Sequence, residues 1–182
     1  NTMEQAQADG ALLLHQNRKN NILTQGYVKR GNIEKGFRNS KYIAQGSFTT
    51  PFIEHAYIEP EAGYAIRKNN RIEIHGCTQA PYMNRDSIAR IMGLPATSVR
   101  LIPTSCGGGF GSKLDLSYHP YIALAAWTLD RPVGIVYTRQ ESMQSTTKRH
   151  PSDIEIKIGC DPCGKISALK FEGNFNTGAY AS

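Results

Sequence analysis

From Asp153 to Ile158 isoleucine alternates with Asp153, Glu155 and Lys157, the two-residue period of a half-buried strand. The same alternation recurs from Arg71 to Cys77, where Ile72 and Ile74 are separated by Glu73. A strand over Gly63–Arg67 precedes it, and Lys68-Asn69-Asn70 between them suits a tight hairpin because asparagine tolerates positive φ. Tyr42, Ile43, Phe48 and two threonines predict a strand over Lys41–Phe52, with Gly46 marking a bulge. Short strands are also expected over Val99–Ile102, Val133–Tyr137 and Lys165–Phe171.

A three-to-four-residue period predicts three helices. Asn32 would cap a short one carrying Ile33 and Phe37. Pro81–Met92 places Ile88, Ile91 and Met92 on one face, and Gly93 ends it. His119–Leu129 aligns Ile122, Ala125, Ala126 and Leu129, with Trp127 at the edge. Residues 1–30 form an extended or partly disordered lead-in, 31–182 the folded part, and the polar segment with Arg139, Glu141 and Met143 shows no period. The order implies an α+β fold of mixed and antiparallel sheets with packed helices.

Composition narrows the classes. With 182 residues, 40% of them hydrophobic, the chain can bury a core, and it holds no apolar run long enough to span a bilayer. The net charge of +6 is scattered among fifteen acids, and Lys148-Arg149-His150 is too short for a nucleic-acid arm. Neither a nucleic-acid nor a membrane partner is expected. Cys77, Cys106, Cys160 and Cys163 make no disulfide framework at this length, which points to a reducing, cytoplasmic setting. Cys160-Asp161-Pro162-Cys163-Gly164 reads as a hairpin turn, with redox chemistry the alternative. The histidine and three acids of 54–61 lack a second His or Cys at ligand spacing, so they read as structural rather than as a metal site.

The chemistry concentrates in Cys106-Gly107-Gly108-Gly109-Phe110-Gly111-Ser112-Lys113-Leu114. Glycine at this density brings backbone N–H groups close to a ligand or to another segment, at a large entropic cost. A phosphate loop would need Gly before Lys113 and Ser or Thr at Leu114, and the dinucleotide fingerprint would need Gly at Ser112. Neither motif is complete. A stand-alone nucleotide or phosphate module using this loop is the alternative reading.

Five stretches in order resemble the molybdenum-cofactor subunit of the xanthine dehydrogenase and aldehyde oxidase family: residues 54–61, Thr78-Gln79, 107–113, Arg149-His150-Pro151 and 177–180. The resemblance implies a partial molybdenum-cofactor-binding domain, an N-terminal piece of a larger subunit. It implies hydroxylation of an aldehyde or N-heterocycle with oxygen from water, at molybdenum–molybdopterin in bare or dinucleotide form. Iron–sulfur (2Fe-2S) and FAD centres would lie on other domains or subunits.

By the same resemblance Gln79 lies beside the metal and donates its amide to an oxo ligand, while Gly108, Gly109, Phe110 and Gly111 wrap the cofactor. No residue ligates the metal directly, and the catalytic base is expected downstream. Leu114 stands where xanthine-specific members carry a glutamate that contacts the purine, so a pocket lined by it should discriminate against xanthine. Ser112 replaces a frequent glycine. The resemblance therefore implies a fragment that is inactive alone and carries one wall of the site.

Overall fold

A computed structural model of the chain describes residues 2–180. In chain order the elements are α1 (Met3–Gln7), α2 (Ile33–Arg38), β1 (Tyr42–Thr50), β2 (Ala62–Lys68), β3 (Arg71–Gly76) and α3 (Pro81–Met92). They continue with β4 (Val99–Pro103), α4 (His119–Leu129), β5 (Val133–Val136), α5 (Arg139–Ser145), β6 (Ser152–Cys160) and β7 (Ile166–Phe175). The chain divides into two compact units, Ile53–Arg149 and a second made of Asn1–Phe52 with His150–Ser182. The mixed α+β class expected from the sequence is observed.

Ile53–Arg149 holds a four-stranded sheet in the order β4-β3-β2-β5, antiparallel except for the parallel pair β3 and β4. The expected hairpin joins β2 to β3, with Asn69 at φ 55°. Alternation in β3 buries Ile72 and Ile74 completely, and Ile88, Val99, Ile122 and Ala126 from α3, β4 and α4 close the core over them. Each of these isoleucines contributes roughly 1.5–3 kcal/mol by leaving water.

The helix faces differ from the sequence reading by one position. In α3 the buried residues are Asn84, Ile88 and Ala89, and Ile91 is exposed. In α4 they are His119, Ile122, Ala123 and Ala126, whereas Leu129 is exposed. Each covered face takes in a polar residue, Asn84 in α3 and His119 in α4, that a hydrophobic period does not count. Trp127 does lie at the edge, under the Arg67 guanidinium at 4.1 Å. Helix α5 has no counterpart in the hydrophobic pattern. A capping box starts it: Thr138 accepts from the Glu141 N–H, and the Glu141 carboxylate accepts from the Thr138 N–H at 2.7 Å.

The other unit is an antiparallel sheet in the order β1-β6-β7. Gly46 pairs with Ile156 in unbroken register, so no bulge occurs there; the one irregularity lies at Gly159/Cys160. Helix α2 packs on β7, its Gly36 lying against Ala168. The register puts Phe48, Ile154, Ile156, Leu169, Phe171 and Phe175 on one face, where Phe48, Leu169, Phe171 and Phe175 are more than half exposed. Asp161 accepts from the Cys163 and Lys165 N–H groups at 2.9 Å, and Gly164 has φ 82°, as the hairpin turn requires. In the lead-in, α1 carries a capping box at Thr2 and Gln5.

Candidate functional site

Parallel strands end on the same side of a sheet, and the stretches leaving β3 and β4 meet beyond it. Leaving β4, Thr104 still donates to the Gly76 carbonyl at 3.2 Å, and the glycine loop follows. Leaving β3, Cys77, Thr78 and Gln79 run into α3. Thr78 Oγ1 accepts from the Ala80 N–H at 3.0 Å and donates to the buried Asn84 side chain, which itself donates to the Leu114 carbonyl at 2.8 Å. The two segments are thus tied through α3.

Gln79 is the main link between them. Its backbone N–H donates to the Lys113 carbonyl at 2.9 Å, and its side-chain Oε1 accepts from the N–H groups of Gly111 at 3.1 Å and Lys113 at 3.2 Å. Two donors converging on one atom require the amide oxygen there, so the NH₂ is turned away from the loop. The fit is close. A Cβ on Gly109 would stand 2.5 Å from Gln79 Oε1, and one on Gly107 would stand 2.5 Å from Glu59 Cβ. Glycine at both positions therefore serves the approach of the chain's own side chains.

Phe110 is not a core anchor. It is 69% exposed and held at φ 51°, a left-handed conformation that costs a non-glycine residue roughly 1 kcal/mol or more. Among the described residues, the N–H groups of Gly108, Gly109 and Phe110 have no hydrogen-bond partner. Consecutive unpaired amides in a loop of alternating φ suit anionic oxygen. Leu114 is 43% exposed, with its N–H donating to the Gly111 carbonyl at 3.3 Å.

Beside the loop lies a cluster that the sequence pattern does not disclose. Lys113, only 7% exposed, donates its ammonium to Glu59 Oε2 at 2.8 Å and to the Glu59 carbonyl at 3.1 Å, 4.5 Å from the centre of the Tyr57 ring. The Gly107 N–H donates to the same Oε2 at 2.7 Å. Partial burial works against the charged form of Glu59, but the Lys113 and Gly107 hydrogen bonds outweigh it and hold the carboxyl below its ordinary value. The sulfurs of Cys77 and Cys106 and a Glu59 carboxylate oxygen lie within 4.8 Å of one another. Burial, and next the neighbouring Cys106 thiol, push the Cys77 thiol up to about 12. Partners this far apart in sequence leave no local spacing to read.

A buried polar layer carries this cluster. Tyr57 donates its hydroxyl to Glu61 Oε1, and the other Glu61 oxygen is buried without a hydrogen-bond partner among the described residues. His119 Nε2 donates to the Cys77 carbonyl at 3.2 Å, and burial lowers the His119 pKa to about 4, so the ring is neutral with Nδ1 unprotonated. Glu54 pairs with Lys148 in an isolated antiparallel bridge. Glu59 of the same 54–61 stretch belongs instead to the group it forms with Cys77 and Cys106. In the other unit the rings of His150 and Tyr180 stand 6.5 Å apart.

These features fit a large anionic cofactor: unpaired amides for its oxygens, an oriented neutral NH₂ beside them, and an exposed aromatic ring held at positive φ. Comparison with known proteins bears on which cofactor that is. The family described as "Molybdopterin cofactor-binding domain" matches residues 14–182. Among curated proteins, a probable xanthine dehydrogenase component from Bacillus subtilis is 36% identical over 98% of this chain and 24% of its own length. The nicotinate dehydrogenase large molybdopterin subunit of Eubacterium barkeri is 33% identical over the whole chain and 42% of its own length. The chain thus spans between a quarter and two-fifths of these relatives. Among solved structures, the aldehyde oxidoreductase from Desulfovibrio desulfuricans superposes with a TM-score of 0.72 at 25% identity, covering 96% of this chain and 20% of that one. With the family match covering nearly all of its length, the chain belongs to the molybdopterin cofactor-binding domain family.

Proposed function

We propose that this chain forms one wall of a molybdenum–molybdopterin site in a hydroxylase of the xanthine dehydrogenase and aldehyde oxidase type, acting on an N-heterocycle or an aldehyde. The observation that carries the reading is the fixed orientation of Gln79, whose oxygen is occupied by the Gly111 and Lys113 N–H groups. Its NH₂ then donates to the cofactor without competing as a ligand or a proton source. Gly108, Gly109 and Phe110 offer backbone N–H groups to the cofactor's oxygens, Gly111 turns the loop back to Gln79, and the Phe110 ring excludes water on that side. The bound cofactor supplies the oxidation of a substrate carbon with oxygen from water. The chain's own residues bind and orient.

Partners in this reading are the remainder of the molybdenum subunit, which supplies the catalytic base, and iron–sulfur and FAD domains or subunits that carry electrons away. A cytoplasmic location belongs to the same reading. Relatives are named for xanthine and for nicotinate, both nitrogen heterocycles. Leu114 cannot hydrogen-bond a purine ring, so a less polar heterocycle or an aldehyde fits better than xanthine.

The test belongs in the full-length protein that carries this chain. Gln79→Glu keeps an acceptor for the two loop N–H groups but offers no donor, whereas Gln79→Ala removes both. Both variants should retain molybdenum and pterin while turnover falls roughly 10- to 100-fold. Unchanged turnover in Gln79→Glu would sink the assigned role. Leu114→Glu should raise the rate on hydroxypurines relative to aldehydes, and an unchanged ratio would remove the specificity argument.

A further inference from the structure

We propose that Cys77 and Cys106 are a redox-active thiol pair, which hydroperoxides convert to a reversible disulfide that staples the mouth of the glycine loop to the end of β3. This inference does not rest on the cofactor reading. It rests on the convergence of two sulfurs and one carboxylate oxygen within 4.8 Å, one sulfur buried and one exposed.

The same three groups could suggest a cation site, but the geometry opposes it. Glu59 Oε2 already accepts from the Gly107 N–H at 2.7 Å and from the Lys113 ammonium at 2.8 Å. A metal ion bound by that carboxylate would lie close to the buried ammonium already paired with it. Like charges held together away from bulk water repel strongly, and a divalent ion does so twice over. The thiols face no such conflict, because a disulfide is neutral and leaves the Glu59–Lys113 pair intact.

The order of events follows from exposure. Cys106 is exposed and its Sγ donates weakly to the Gly108 carbonyl at 3.5 Å, so it meets the oxidant first. Its sulfur attacks the peroxide O–O bond, giving a sulfenic acid and releasing water, or an alcohol from an organic peroxide. Cys77, buried and holding its proton, then displaces the sulfenic hydroxyl. The S–H proton leaves with that hydroxyl as water, and the S–S bond forms. Two thiols are oxidised and one peroxide is reduced. Closing to the bond length of about 2.05 Å requires movement of the Cys106 side chain, which the glycine following it in the loop permits.

The full-length protein, fully reduced, would be treated with equimolar hydrogen peroxide, alkylated and digested with trypsin. The dominant new species should join the peptide 72–85 to the peptide 101–113, should vanish on treatment with dithiothreitol, and should be absent from Cys106→Ser. Because the wild type gives the main result, a folding defect in the variant cannot mask it. The proposal is overturned if both thiols stay open to alkylation, if Cys106 ends as sulfinic acid or joined to another cysteine, or if zinc alone protects both thiols in the reduced protein.

Discussion

His119 shows how a single side chain ties the site to stability. Its ring is 2% exposed, and burial lowers its pKa from about 6.5 to about 4 in the fold. Between those values the unfolded chain binds a proton that the folded chain refuses. Stability from this residue is therefore complete above about pH 6.5, falls as the pH drops through the window, and levels off below about 4. The full loss is about 3 kcal/mol, so urea midpoints should decrease between pH 7 and pH 5. His119→Gln keeps a donor for the Cys77 carbonyl and should flatten that dependence; a variant as pH-sensitive as the wild type would refute the assignment. The carboxylates act in a lower window, since Glu59 loses its contribution only as the pH falls below the ordinary carboxylate range. None of this was legible beforehand, because the sequence around His119 shows an apolar helix and not the carbonyl it would meet. The stretches that hold Gln79 and the glycine loop stood out, because the residues that resemble the family lie in short contiguous runs, and the fold brings those two together.

At the scale of elements, two glycines inside strands separate packing from exposure. A Cβ on Gly76 of β3 would stand 2.2 Å from the buried Tyr118 hydroxyl, with nowhere for that ring to move. Gly76→Ala should cost about 1–3 kcal/mol, read as a lower urea midpoint. A Cβ on Gly46 of β1 meets only the ring of Phe48 at 3.0 Å, which is exposed and can swing away. Gly46→Ala should stay within about 0.5 kcal/mol of wild type. Equal costs at the two positions would show that strand propensity, not Tyr118, decides the matter. From sequence both glycines look alike, each flanked by residues of strand character, and the expected bulge at Gly46 rested on that. Strand and helix positions were legible because period-two and period-four patterns are local. The buried face of α3 and the existence of α5 were not, since one depends on what the sheet covers and the other on a cap in a polar stretch.

At the scale of the molecule, the core cluster of Ile72, Ile74, Ile88, Val99 and Ile122 lies wholly within Ile53–Arg149. The ends of that segment meet, for the Arg149 N–H donates to the Ile53 carbonyl at 2.8 Å. A segment with its own core and adjoining ends should fold alone. Residues 53–149 expressed separately should unfold cooperatively in urea; a non-cooperative transition would contradict this. Neither property can be read from a linear pattern, because both depend on pairings across many residues. The meeting of Ile53 and Arg149 also bears on the order of assembly. Strand β1 must find β6 across everything between them, and in a disordered chain that search carries a large loop-closure entropy. Once the intervening segment has collapsed, its two exits emerge side by side and the search shortens to a few residues. The inserted segment would then act as a folding template for the strands on either side of it in sequence, and a lesion such as Gly76→Ala would slow the pairing of β1 with β6.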